Sequence, residues 1–204
     1  MATAQDIINE WASDSEEKQA LVKTRSGLPL RWINQGQLRY VEKGQVLRDI
    51  WLPNITSTGN IALPTDFLYE FPDRVKRNAS ATVDIFLKKL DLPVAQARYF
   101  SGLYYYSIWK GSFYVWSAQA ATPSVPYVRK PTILSSIASD LEIPTEFQMN
   151  LLPFIEAKYL YSKKEMPYAE YAQAMEHFDI QANNDGLSWR TRNDVIPTMR
   201  PNWF

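Results

Sequence analysis

Hydrophobic positions recur every three or four residues at both ends of the chain and lose that period in between. Over residues 3–23, Ile7, Ile8 and Trp11 share one helical face, with Thr3 as a cap and Asp6 in the first turn. Ser13-Asp14-Ser15-Glu16 reads as a second helix start, with acids where the helix dipole favours them. Gly27 and Pro29 punctuate, and residues 29–43 form a further helix with Leu30, Ile33, Leu38 and Val41 as its apolar stripe and Lys43-Gly44 at its end.

From 46 to 135 the pattern is that of strands. Residues 46–52 are short and extended, and 54–60 are turn-rich. In 81–87, Val83, Ile85 and Leu87 alternate with Thr82, Asp84 and Phe86. The clearest hairpin joins residues 103–109 to 112–116 through Lys110-Gly111, with Gly111 supplying a positive φ. Residues 127–130 form another strand, bracketed by Pro123, Pro126 and Pro131, which marks it as an edge strand or a linker.

The helical period returns at 144. Thr145 and Gln148 make a capping box, Phe147, Leu151, Ile155 and Tyr159 fall at steps of four, and Pro153 kinks the helix or marks its true start. After Pro167, Tyr168, Tyr171, Met175 and Phe178 form a stripe that Asn183-Asn184-Asp185-Gly186 terminates. The last 18 residues show no period. The expected fold class is α+β: a helical bundle from residues 3–45 and 144–182, an inserted antiparallel β-sheet and hairpin region at 46–135, and an extended C-terminal docking tail at 183–204.

Composition narrows the chemistry. The chain has 204 residues, 46% of them hydrophobic, and 22 basic residues balance 22 acidic ones. A net charge of zero argues against a broad grip on nucleic acid, which needs surplus cations. There is no Cys and a single His, His177, so thiolate metal sites, disulfides and cysteine nucleophiles are excluded. His177 has no nucleophile motif beside it and reads as a surface residue near a helix end. No phosphate-cradling loop, nucleophile elbow or metalloprotease motif occurs. Asp66, Asp84 and Asp91 are the remaining candidates for a carboxylate pair; Asp66 reads more simply as a turn residue accepting backbone N–H bonds. The chain is therefore expected not to be an enzyme, with no catalytic, cofactor-binding or metal residues. No apolar run approaches the roughly 20 residues that cross a bilayer, and no signal peptide is evident, so no membrane partner is expected.

Aromatics reach 14%, with seven Trp and twelve Tyr. They concentrate in the hairpin, where Tyr105, Trp109, Phe113 and Trp116 stand out. Three readings stay open there: a subunit interface, a sugar-stacking face, or a small sheet packed on both sides. Basic residues at Arg74, Lys76, Arg77, Lys88 and Lys89 read as a solvated face or as a local patch lining a nucleic-acid pore. Residues 200–204, Arg-Pro-Asn-Trp-Phe, would be an aggregation hazard in water, which implies docking onto the protein itself or onto a partner.

The order of elements resembles the head–tail adaptor (connector) proteins of tailed double-stranded DNA bacteriophages. The likeness is carried by Leu30-Arg31-Trp32-Ile33-Asn34-Gln35-Gly36-Gln37 in the bundle and by Ile61-Ala62-Leu63-Pro64-Thr65-Asp66-Phe67 leading into the β insertion. It continues through the hairpin from Tyr105 to Trp116 and through Ile143-Pro144-Thr145-Glu146-Phe147 before the closing helices. It covers roughly residues 3–182; residues 117–123 depart from the Pro-x-Pro that follows the hairpin in such adaptors. The resemblance implies a virion structural protein of the neck or tail, made in the host cytoplasm. It would form a homo-oligomeric ring, typically dodecameric, that binds the portal, meets a downstream tail or neck protein and lets double-stranded DNA pass without sequence recognition. It also implies a portal-binding tail that would include Trp189, Arg190, Arg192, Arg200, Trp203 and Phe204. The alternative is an aromatic carbohydrate-binding β module of a phage tail component.

Overall fold

A computed structural model of the chain describes residues 2–54, 59–71, 74–77, 85–91, 105–116 and 122–193. The fold class is α+β. Two compact units divide the chain: residues 1–47 with 130–204, and residues 48–129.

The first unit is built from five helices among the described residues: α1 (Ala4–Ala12), α2 (Glu16–Arg25), α3 (Gly27–Gly44), α4 (Leu152–Ser162) and α5 (Tyr168–Asn193). Helix α1 starts at Thr3, whose Oγ1 accepts from the Asp6 N–H while Thr3 N–H donates to the Asp6 carboxylate at 2.7 Å. This reciprocal cap satisfies two donors that the first turn would leave bare. Ser15 caps α2, and its acids Glu16 and Glu17 and bases Lys23 and Arg25 lie at the ends that suit the helix dipole.

Helix α3 is the spine of this unit. Its buried face is Pro29, Trp32, Ile33, Gly36, Gln37, Tyr40, Val41 and Gly44. The expected stripe is therefore corrected at two positions. Leu30 is half-buried and Leu38 is exposed, because both lie off the face that Trp32, Gly36 and Tyr40 define. Gly44 is the last helical residue, and the left-handed cap is taken by Gln45 at φ 55°.

Residues 130–144 have no regular structure, yet they belong with the helices. Asn34 of α3 donates through Nδ2 to the Leu134 carbonyl at 3.0 Å and accepts from the Leu134 N–H at 2.8 Å, as a neighbouring strand would. Ala4 and Gln5 donate to the carbonyls of Ser139 and Ile137. The expected capping box at Thr145 and Gln148 is not formed. Residues Thr145–Leu151 are a 3₁₀ helix without a side-chain cap, and Gln148 is buried instead. Its Oε1 accepts from Ala2 N–H and its Nε2 donates to the carbonyls of Ile143 and Leu141, so it clasps three backbone groups, the two carbonyl bonds being fully buried. Pro153 stands in the first turn of α4, where its missing N–H costs nothing.

The second unit holds seven strands in two sheets among the described residues. One has the order β1 (Arg48–Trp51), β7 (Val125–Arg129), β3 (Phe67–Glu70) and is antiparallel. The other has the order β2 (Gly59–Ala62), β6 (Ser112–Trp116), β5 (Tyr105–Trp109), β4 (Lys88–Lys89). Its β4–β5 pair is parallel, so the expected all-antiparallel sheet is corrected there. The expected hairpin is present, with Ile108 opposite Phe113, and both Lys110 (φ 46°) and Gly111 (φ 74°) are left-handed in the turn. Two positive φ values in succession match the right-handed twist of the flanking strands.

The expectation of an edge strand near Tyr127 is overturned, since β7 is the centre of its sheet. Pro126 is tolerated because its carbonyl accepts from the N–H of Phe71, just past the end of β3. In an antiparallel ladder, a residue's N and O face the same neighbour. The missing N–H therefore falls where no ladder acceptor needs it. Most of the expected strand at 81–87 lies outside the described residues. The core of this unit is Val75, Leu87, Tyr106, Phe113, Val115 and Val125, with Trp51 and Ile61 packed against it. The Tyr106 and Phe113 rings stack at 5.3 Å.

Candidate functional site

The residues singled out from sequence separate into core and surface once their places are known. Phe113 and Tyr105 are buried, so their rings belong to the protein's own packing. Trp109 is an exposed aromatic of the hairpin, 50% accessible at the turn, with the Lys110 ammonium 5.9 Å from its ring. Trp116 closes β6 opposite Tyr105. Asp66 is not a simple turn acceptor: its Oδ1 accepts from the buried Tyr127 hydroxyl at 3.2 Å. His177 is exposed on α5. Among the described residues no cluster of His, Asp and Glu could hold a metal ion. Asp84 lies outside the described residues.

The tail is corrected more deeply. Helix α5 does not end at Asn183-Asn184-Asp185-Gly186 but runs on to Asn193. Two of the four residues that read as a stop, Asp185 and Gly186, are held in the bundle. Asp185 Oδ2 accepts from the Tyr40 hydroxyl at 2.5 Å and from Asn150 Nδ2 at 2.8 Å, while Oδ1 accepts from Gln181 Nε2. Tyr40 is fully buried between Phe147 and Phe178; burial first, and the bond to Asp185 second, hold its pKa well above the usual tyrosine range. Gly186 is buried against α3. Arg190 donates to the Gln45 side chain, and Arg192 pairs with Glu146 at 2.9 Å. Trp189, Arg190 and Arg192 thus stand on the last turns of a packed helix, and Arg200, Trp203 and Phe204 lie outside the described residues.

A second polar cluster ties α1 and α2 to α4. Lys18 is buried beside the rings of Trp11 and Tyr159 and pairs with Glu156 at 2.9 Å and Asp14 at 3.0 Å. Burial opposes its charge, but the bonds to Glu156 and Asp14 outweigh that and raise its pKa. Trp11 Nε1–H donates to the same Glu156 carboxylate at 2.7 Å. Every member has a partner, so the cluster fastens helices and offers no spare group for chemistry.

Two surfaces of the helical unit were not visible in the sequence reading. The first is a groove of about 450 Å³ between the N-terminal half of α3 and residues 130–134. Leu30, Leu38, Pro131 and Ile133 supply its apolar lining, and Arg31 and Lys130 are its charged residues. Ile133 is 79% exposed. The second is the outer face of α5. Met175, Phe178, Ala182 and Gly186 face the bundle. Ile180 and Leu187, seven residues apart and on the opposite side, are 52% and 51% exposed. A helix taken to stop at 183 conceals that stripe, since Leu187 then falls outside it.

No helix among the described residues is long and apolar enough to cross a membrane. No curated protein matches this chain. The family model of the SU10 adaptor protein matches residues 2–196, and the chain belongs to that family. It is a phage adaptor protein, a structural component that works by contact with other phage structural proteins.

Proposed function

We propose that this adaptor is the head–tail connector of a tailed phage particle. Copies assemble into a ring, typically of twelve, which seats on the portal, joins the capsid to the tail or neck protein below it, and surrounds the path that DNA takes during packaging, retention and ejection. The observation that carries this reading is the family match itself, which runs through both the helical unit and the β unit. A net charge of zero suits a channel that must not hold its cargo, because tight phosphate binding requires a surplus of cations. A ring of identical subunits needs two different contact surfaces on each copy, meeting head to tail.

In this reading the residues after Asn193, with Arg200, Trp203 and Phe204, dock on the portal, and the exposed hairpin turn at Trp109 faces a neighbour. The truncation that tests the tail stops after Asn193. A cut at Leu187 would also remove the bonds of Arg190 to Gln45 and of Arg192 to Glu146. The decisive experiment mixes the purified protein with the portal ring of the same phage and images the product by electron microscopy. A ring of this protein under the portal supports the proposal. Absence of any association overturns it and turns attention to a glycan array for the carbohydrate-binding alternative.

A further inference from the structure

We infer that the α3 groove of one copy receives the outer face of α5 from the next copy, which assigns the self-contact surface of the ring proposed above and rests on that reading. The two surfaces share no residue, as a head-to-tail contact requires. They match in kind. The groove exposes Ile133 and Leu38, and the helix brings Ile180 and Leu187, spaced by two turns on its midline. They also match in charge. The residues lining the groove include Arg31 and Lys130 and no acid. Between Tyr168 and Trp189, α5 has no Lys or Arg, and its exposed acids are Glu170 and Glu176. Glu142 is taken up by the Thr132 N–H and hydroxyl.

The physical reason for expecting a cover is a pair of bare aliphatic side chains on the C-terminal half of α5, Ile180 and Leu187, seven residues and about 10 Å of rise apart. A surface helix normally sets charged residues opposite its buried face. Here Ile180, Asn184 and Leu187 occupy that line instead. Two half-exposed aliphatic side chains meeting an apolar groove flanked by two cations would bury both, with Glu176 left to reach Arg31 or Lys130 at the rim.

The chain has no cysteine, so engineered thiols report contacts without background. Ile133→Cys protein mixed with Ile180→Cys protein under mild oxidation should form a disulfide-linked pair at least tenfold faster than Ile180→Cys mixed with Thr24→Cys. Thr24 is an exposed position on α2 outside both surfaces. The double variant carrying both cysteines should give a ladder of linked copies. Arg31→Glu with Lys130→Glu should reduce linkage tenfold, and Glu170→Lys with Glu176→Lys on the partner should restore it. Unchanged unfolding midpoints establish that each variant folds. The same mixtures are imaged on the portal. A ring on the portal without Ile133–Ile180 linkage overturns this interface and leaves the connector reading standing. Linkage without a ring on the portal supports the interface and overturns the connector reading. Neither linkage nor ring overturns both.

Discussion

Gly186 lies backbone to backbone against Gly44: a β-carbon added to Gly186 would stand 1.9 Å from the Gly44 carbonyl oxygen. One added to Gly44 would meet the Ala182 carbonyl oxygen at 2.7 Å. The crossing of α3 and α5 is therefore set by the absence of side chains at one point. Tyr40–Asp185 and Arg39–Asp179, both at 2.5 Å, bind the same two helices on the N-terminal side of those glycines.

Gly186→Ala should force the two helices apart and cost several kcal/mol, in the upper range for a single substitution. Gly27→Ala is the control. Nothing lies within 4 Å of its added β-carbon, so it should be neutral or stabilise by up to about 1 kcal/mol through the helix preference of Ala. Thermal unfolding of both variants checks the pair. Equal midpoints would mean the close approach carries no weight.

Asp185→Asn should destabilise by about 1.5–3 kcal/mol, since it removes a charged acceptor from three donors and turns an amide toward them. Tyr40→Phe should cost less, about 1 kcal/mol, because the ring and its packing remain. Denaturant midpoints decide the order. A larger loss in Tyr40→Phe would place the stabilisation in the hydroxyl and not in the carboxylate.

Alkaline stability should depend on Tyr127. Burial, then the Asp66 charge and the bond to it, push the Tyr127 pKa up to about 12. An unfolded tyrosine titrates near 10. The folded state therefore keeps its proton longer, and the associated stability is complete below pH 10 and falls away between pH 10 and 12. It amounts to on the order of 2 kcal/mol. Tyr40 acts in the same direction. Tyr127→Phe should flatten that limb of a stability–pH curve, and an unchanged slope would remove Tyr127 from the account.

Phe113→Ala should cost about 3–5 kcal/mol, as a fully buried ring stacked on Tyr106 and edge-on to Trp51 is lost. Trp109→Ala should stay within about 1 kcal/mol, because half of its surface is already in water. If the hairpin turn is a contact surface, Trp109→Ala should weaken attachment to portal or neck proteins while the melting temperature holds. A fall of several degrees would assign Trp109 to packing instead.

The groove and the outer face of α5 set a limit to what pattern alone conveys. Leu38 reads from sequence as part of the same apolar stripe as Ile33, and only its exposure separates the two. Asn183-Asn184-Asp185-Gly186 has the composition of a helix stop, and in isolation those residues favour one. Within the bundle, Asp185 finds Tyr40 and Asn150, and Gly186 finds Gly44, so the tertiary contacts carry the helix through. Trp109 and Phe113 were one aromatic cluster in the sequence. Strand register put Phe113 inward, while Trp109 falls at the turn.

Local forces determined a good deal without help from the fold. The Thr3 cap, the helix start within Ser13-Asp14-Ser15-Glu16 and the turn at Gly111 each depend on neighbours within four residues and were legible as such, and of the two readings open at Pro153 the structure takes the helix start. The α+β class and the likeness to phage adaptors were legible for the same reason, since both rest on the order of such elements. The central position of β7, the parallel β4–β5 pair, the length of α5 and the two exposed surfaces depend on groups tens of residues apart. Those partners meet only after the chain has closed on itself, so the tertiary structure alone could decide them.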